Sequence, residues 1–316
     1  MRVSTAQIFN SGTIGMQNRT SDMYKLQQQM SSGKKILSPQ DDPIGASEAL
    51  KTTQAQNVNT QFIDNIKNAN GKLNFADSTL SSIQDVLQSI HESAVNAGNG
   101  TYDDSQRGQI AAQLKQQLQS LIDLANTQDG TGKFIFAGYS TSTQPFTLNA
   151  AATPPYSLAT GSYVSYNGDA GVEALQVSGS RVMATSENGL ATFMQVRDAQ
   201  GNPTGRSMFD SVQNLIDNLS SNAFNVADYQ QSLTDTLSML DHTGVVRASL
   251  GGRMNALDSM QTAGEDYDLL YSNRLSDLQD LDYIDAASKM SQLQMQLEAA
   301  QLSFKTISQL SLFNVI

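Results

Sequence analysis

Between Phe62 and Ala97 the chain obeys a rule that few folds can satisfy. Phe62, Ile66, Ala69, Leu73, Ala76, Leu80, Ile83, Leu87, Ile90, Ala94 and Ala97 follow one another at alternating steps of four and three residues without a miss. A strand has period two, so this spacing cannot serve a sheet; on a helix it makes one straight apolar seam. At 1.5 Å per residue the seam predicts a rod of roughly 50 Å. It can be buried only by other helices lying along it. Gly98-Asn99-Gly100 ends the rod. A shorter helix is expected from about Asp103 to Ala125, with Ile110, Leu114, Leu118, Leu121 and Ala125 on one face. A break this tight sends it back antiparallel to the first.

The same spacing returns at the far end of the chain. Tyr283, Ala286, Met290, Leu293, Leu297, Ala300, Phe304 and Ile307 line one face of a helix predicted over about 281–313, while Met295 and Leu302 lie well off that face. One partner helix cannot cover both stripes. Leu310, Leu312, Phe313, Val315 and Ile316 keep the end apolar, where a monomer in water would ordinarily fray. At the other terminus residues 3–32 read as a Gln- and Ser-rich helix, with Met16, Met23 and Met30 seven apart and Leu26 on the alternate step. Gly33 offers its stop. Asp42 then suits an N-cap and Pro43 the first helical position, where the missing N–H costs nothing. The carboxylates of Asp41 and Asp42 are better placed to cap than to hold a cation, because no other oxygen-ligand pattern surrounds them.

After Asn126 the composition changes. Asp129-Gly130-Thr131-Gly132 reads as a turn, and short β-prone runs follow at Phe134–Tyr139, Tyr163–Tyr166, Leu175–Val177 and Arg181–Ala184 among Gly, Thr, Ser and Pro, up to about Pro203. Helical patterning resumes over Met208–Leu219 and again from Tyr229, is interrupted at Gly251-Gly252, and runs on through Leu257. The expected fold is mainly α: a long coiled-coil-like helical rod built from both chain ends, with a small β-rich domain inserted. The expected division is a terminal helical assembly domain (1–42 and 281–316), a helical rod domain (43–133 and 204–280) and an outer β-rich domain (134–203).

The chemistry of catalysis is sparse. His91-Glu92-Ser93-Ala94-Val95 opens like a zinc-protease helix but has Val95 where the second ligand must stand. Gly130-Thr131-Gly132-Lys133 fails as a phosphate loop, since Phe134 replaces the Ser or Thr and a helix precedes it. His91 and His242 are the only histidines and read as helix-surface residues. The absence of cysteine removes thiol catalysis, thiolate metal sites and disulfides together. With 30 acidic against 19 basic residues, net charge −11, the chain lacks the basic surface that nucleic acid requires. No run of some 20 apolar residues predicts a membrane span, and the N-terminus has no signal-peptide core. Taken alone, that places the protein in the cytoplasm, but an export route without a cleaved signal would look the same. The expectation is a protein that is not an enzyme and takes no cofactor or metal.

The residues also carry a family likeness. Leu26-Gln27-Gln28-Gln29-Met30-Ser31-Ser32-Gly33-Lys34-Lys35-Ile36, followed by Asp41-Asp42-Pro43, resembles the N-terminal signature of the flagellin superfamily. Leu297-Glu298-Ala299-Ala300 through Leu310-Ser311-Leu312 is similar to its C-terminal helix. Gly132–Gly138 followed by Gln144-Pro145-Phe146, and Arg247–Arg253, resemble the hook-associated branch that joins hook to filament. Together these pieces cover about half the chain. The resemblance implies a terminal helical pair lining an inner tube, an outward β-rich part, and export through the flagellar channel to the cell exterior. It also implies a cytoplasmic chaperone on the C-terminal segment, and contacts with further copies, with hook-associated protein 1 below and with flagellin above. The interface would comprise Met16, Met23, Leu26, Met30, Met290, Leu293, Leu297, Ala300, Leu302, Phe304, Ile307, Leu310 and Phe313. Before assembly the segments 1–40 and 281–316 are expected to lack a partner and to be poorly ordered, because neither alone buries enough apolar area to offset its ordering entropy. Two rival readings are a bulk filament subunit and a secreted hydrolase with its site in the β-rich insertion.

Overall fold

The structure, a computed structural model, describes residues 5–221 and 223–313, with side chains described for residue 7 and for residues 9–221 and 223–306. Six α-helices and two short hairpins follow in the order α1 (Thr5–Ser32), α2 (Pro43–Ala97), α3 (Asp104–Ala125), β1 (Phe146–Leu148), β2 (Val164–Tyr166), β3 (Ala174–Ser178), β4 (Arg181–Ala184), α4 (Met208–Ser220), α5 (Val226–Gln279) and α6 (Tyr283–Phe313). They form two compact units, residues 1–60 with 266–316, and residues 61–265; α2 and α5 contribute to both. The boundaries fall inside helices, some way from those expected at 42/43 and 280/281.

Residues 61–265 are built on the α2 seam. Every member from Ile66 to Ala97 is enclosed, with Phe62 half-buried at the start. α3 returns antiparallel, as the bonds from Gln113 Nε2 to Ser93 Oγ (3.4 Å) and from Gln117 Nε2 to Ser89 Oγ (2.7 Å) require. Its start is fixed by a capping box: Asp103 accepts from the Gln106 amide at 2.8 Å, and Gln106 Oε1 accepts from the Asp103 amide at 3.0 Å. α4 begins with a buried version of the same device, Ser207 with Asp210, and Asp210 Oδ1 also accepts from the Tyr163 amide at 2.7 Å. One cap thus ties the edge of β2 to a helix. The hydroxyl of Tyr229 in α5 donates to the Ala94 carbonyl in the last turn of α2 (2.8 Å), an acceptor that the helix itself leaves open.

Several sequence expectations change here. Phe134–Tyr139 forms no strand; Phe136 and Ala137 are buried as irregular chain, and Phe134 makes only an isolated bridge to Gln128. The first strand is instead Phe146–Leu148, pairing antiparallel with β2 in the register Phe146↔Tyr166 and Leu148↔Val164. β3 pairs with β4 through a bulge between Gln176 and Ser178. The insertion does not separate into an outer domain with its own core. Phe136, Phe146 and Phe193 pack with Phe209 of α4, ring centroids 5.0 to 6.1 Å apart, and belong to the core that contains the α2 seam. Hairpins this small cannot bury a face alone, so they bury it against the helices. α5 runs unbroken through Gly251-Gly252: a penalty of about 1 kcal/mol per glycine is outweighed because Leu250 and Leu257 on either side are fully enclosed.

Neither histidine is a free surface residue. His91 Nδ1 lies 2.8 Å from Thr236 Oγ1, joining α2 to α5, and His242 Nε2 lies 3.1 Å from the Ala191 carbonyl. Burial pushes the His242 pKa below the usual imidazole value.

Candidate assembly interface

The end helices begin and stop where local chemistry tells them to. α1 ends at Gly33, whose φ of +71° is the left-handed conformation that glycine adopts without a Cβ clash. Asp282 caps α6 by accepting from the amides of Ile284 (2.9 Å) and Asp285 (3.1 Å). Between these points the two linkers bond to each other. The Lys35 amide donates to Gln279 O (2.8 Å), the Leu281 amide to Gly33 O (2.9 Å), and Lys35 Nζ to Asp277 O (2.7 Å). Asp42 caps α2 through the Gly45 amide at 2.9 Å, as Pro43 at its first position requires. Asp41 accepts from the amides of Leu37 (3.1 Å) and Ser38 (3.0 Å) and pairs with Lys25 of α1 at 2.6 Å. The Lys25 bond, then the Ser38 amide, hold its carboxyl below the usual range. Asp42 therefore caps a helix, and Asp41 pairs and braces the linker.

Joined by this clasp, α1 and α6 lie antiparallel along each other. The Tyr283 hydroxyl donates to Met30 O at 3.1 Å, Arg19 Nη1 to Gln296 Oε1 at 2.6 Å, and Phe9 meets Phe304 edge-on at 4.5 Å between ring centroids. The expectation that each end lacks a partner within one chain is thereby corrected. Each has the other, because their seams are complementary in spacing. Cover is nonetheless incomplete: among the described side chains of the pair, only Leu26 (8% exposed) and Ala286 (1%) are enclosed. Met16, Met23, Met30, Met290, Leu293, Leu297, Ala300 and Phe304 are half-buried. Leu302 (66%) and Met295 (62%) stand on the opposite face of α6 with no cover. Ile307, Leu310 and Phe313 lie in α6, but their side chains are outside the described residues, as are Val315 and Ile316 altogether.

Three contributors escaped the sequence reading. Phe9 lies seven residues before Met16, and Gly12 and Arg19 lie fourteen and seven before Leu26, so all three extend the α1 seam; a Cβ at Gly12 would sit 3.1 Å from Phe304 Cδ2. With Gly15 and Ala300, Gly12 leaves a shallow groove of about 230 Å³ against Phe304. The signals available were that seven-residue spacing and the pair of glycines about one helical turn apart in an otherwise helical run. More than half of the exposed large apolar side chains belong to residues 1–60 and 266–316, among them Ile14, Tyr24, Ile44, Leu50, Leu270 and Ile284. An apolar surface so concentrated marks an interaction site.

A second groove, about 330 Å³, lies in residues 61–265 between α2 and the insertion, against Phe75, Phe134 and Ile135. Three of its charged groups are engaged: Lys72 pairs with Glu173 at 2.5 Å, and Asp129 accepts from Thr131 and from the Lys133 amide at 3.0 Å. The Gly130–Lys133 segment is thus an Asp-anchored turn. Among the described residues no group of three His, Asp or Glu side chains could hold a metal ion. Nor is any described helix long and apolar enough to cross a membrane.

Comparison with known proteins adds identity to this geometry. Residues 3–141 match the model of the bacterial flagellin N-terminal helical region. The flagellar hook-associated protein 3 of Escherichia coli is 32% identical over the whole chain and 99% of its own length. The chain belongs to the flagellar hook-associated protein 3 family. The crystal structure of the hook-associated protein 3 of Legionella pneumophila superposes on this family member with a TM-score of 0.61 at 20% identity, covering 72% of this chain and 98% of that one. Flagellin of Listeria monocytogenes is 30% identical, but over only 40% of this chain. The hook-associated protein 3 relationship spans the whole molecule, while the flagellin likeness is partial. The relatives are structural flagellar proteins, and the chain is a flagellar component of that kind.

Proposed function

We propose that this protein is a non-enzymatic adaptor layer of the extracellular flagellum, seated at the junction between hook and filament. Copies of the chain would pack side by side, with hook-associated protein 1 beneath and flagellin above. One observation carries the reading: α1 and α6 are already paired, yet their seam is only half-covered and a second apolar face stands open. Docking into a tube of like helices would bury Met16, Met23, Met30, Met290, Leu293, Leu297, Ala300, Leu302 and Phe304, with Leu26 already seated. Each Å² of apolar surface so removed contributes roughly 25 cal/mol. Ile307, Leu310 and Phe313 would extend the same face. Because the pair exists beforehand, docking need not supply the whole ordering entropy of two free segments. Export through the flagellar secretion apparatus, with a chaperone shielding the C-terminal segment beforehand, would fit an apolar helix that must stay unassembled inside the cell.

The test is a deletion. Removing residues 297–316 takes Leu297, Ala300 and Phe304 from the seam but no residue from 61–265. The shortened protein should keep the thermal unfolding of that unit and fail to appear at the hook end by electron microscopy of labelled protein. Labelled full-length protein distributed along the filament would favour a bulk subunit instead, and incorporation of the truncated protein would refute the mechanism.

A further inference from the structure

Among the described residues the fully buried methionines all lie in 61–265: Met183, Met194, Met208 and Met239 are buried there, while Met254 and Met260 are half-buried against the same core. In the α1–α6 pair Met16, Met23, Met30 and Met290 are half-buried on the shared seam, and Met295 is 62% exposed. The chain has no cysteine, so no thiol competes for an oxidant. We infer that the four seam methionines form an oxidative modification site, at which a peroxide-class oxidant unpairs α1 from α6 and leaves residues 61–265 intact. It rests on the proposed junction role only for its consequence, the loss of assembly competence.

The chemistry balances. A lone pair of the thioether Sδ attacks one peroxide oxygen, the O–O bond breaks, the sulfur is oxidised by two electrons, and the other oxygen leaves as water. The product is a polar, chiral sulfoxide in place of a flexible apolar side chain. At Met295, which faces solvent, this changes little. At Met16, Met23, Met30 and Met290 it places a strong dipole between two helices whose association rests on apolar contact, with few polar cross-bonds to hold them otherwise. Met30 stands at the clasp end of the pair, where its backbone carbonyl accepts the Tyr283 hydroxyl. A subunit already packed among its neighbours would have these sulfurs covered, so the unassembled protein would be the sensitive form. Reduction by an enzyme of the methionine sulfoxide reductase class would restore pairing.

The experiment uses full-length protein treated with dilute hydrogen peroxide and read in two ways independent of the flagellum. Peptide mapping by mass spectrometry should show a gain of one oxygen at Met295 first, then at Met16, Met23, Met30 and Met290, with Met183, Met194, Met208 and Met239 unmodified. Hydrogen exchange should show α1 and α6 amides losing protection while α3 and α4 keep theirs. The variant carrying Met16→Leu, Met23→Leu, Met30→Leu and Met290→Leu nearly conserves volume and should keep its protection under the same treatment. Oxidation spread evenly over buried and seam methionines, or equal loss of protection in the leucine variant, would overturn the inference. A separate incorporation assay bears on the junction role alone: untreated protein that never enters the flagellum would sink that role and leave the map and exchange results standing.

Discussion

Leu80→Ala tests whether the α2 seam is the physical basis of residues 61–265. Leu80 is 0% exposed, and its seam neighbours Ala76, Ile83 and Leu87 are equally enclosed, so truncation removes three carbons from a site with little room to collapse. At about 0.8 kcal/mol per buried carbon the transfer loss is about 2.4 kcal/mol. Residual cavity at about 24 cal/mol per Å³ raises the total toward 5 kcal/mol, within the range of about 2–5 for buried leucines. For a unit of about 200 residues each kcal/mol lowers Tm by about 2–4 °C, so a shift of roughly 5–20 °C is expected. Differential scanning calorimetry of the full chain, against Leu297→Ala as control, reads it directly. Leu297 is half-exposed and lies in the other unit, so its truncation should leave the main transition within about 1 °C, as for ordinary surface changes. A Leu80→Ala shift no larger than that of Leu297→Ala would refute the claim that the 4-3 seam holds this unit together.

Tyr229→Phe removes the donor to the Ala94 carbonyl and leaves that buried acceptor unpaired, which should cost about 1–3 kcal/mol in urea unfolding, with no change in the slope against denaturant. Gly33→Ala places a Cβ at φ +71° and 3.3 Å from the Tyr283 hydroxyl; the penalty of about 1–2 kcal/mol should appear as faster exchange of the Lys35 and Leu281 amides. Asp41 has a folded pKa depressed by Lys25 and the Ser38 amide, so its contribution is complete above the ordinary carboxylate value and fades as pH falls through the depressed one. Asp41→Asn should therefore speed exchange of the Leu37 and Ser38 amides at neutral pH and make no difference once the pH is below the folded pKa.

Phe62–Ala97, the cap at Asp42, the stop at Gly33 and the α6 seam were all legible in the amino-acid order alone. Each is written within a few turns of one helix, where side-chain spacing and backbone hydrogen bonding depend on near neighbours. The assembly face was half legible for the same reason. Spacing marks Met290, Leu293 and Leu297 as one stripe, but it cannot say that Gly12 admits Phe304 or that Arg19 reaches Gln296, since those contacts join residues nearly three hundred positions apart.

What only the tertiary structure decided follows from partners that are distant in sequence. Phe146–Leu148 becomes a strand because Val164–Tyr166 lies beside it, and Phe134–Tyr139 does not because no strand does. Gly251-Gly252 stays helical because Leu250 and Leu257 are buried, against local propensity. The insertion joins the helical core because strands of three to five residues build no core of their own for Phe136, Phe146 and Phe193. The pairing of α1 with α6 is of this second kind as well: the sequence supplied two seams, and the fold brought its own two ends together along them.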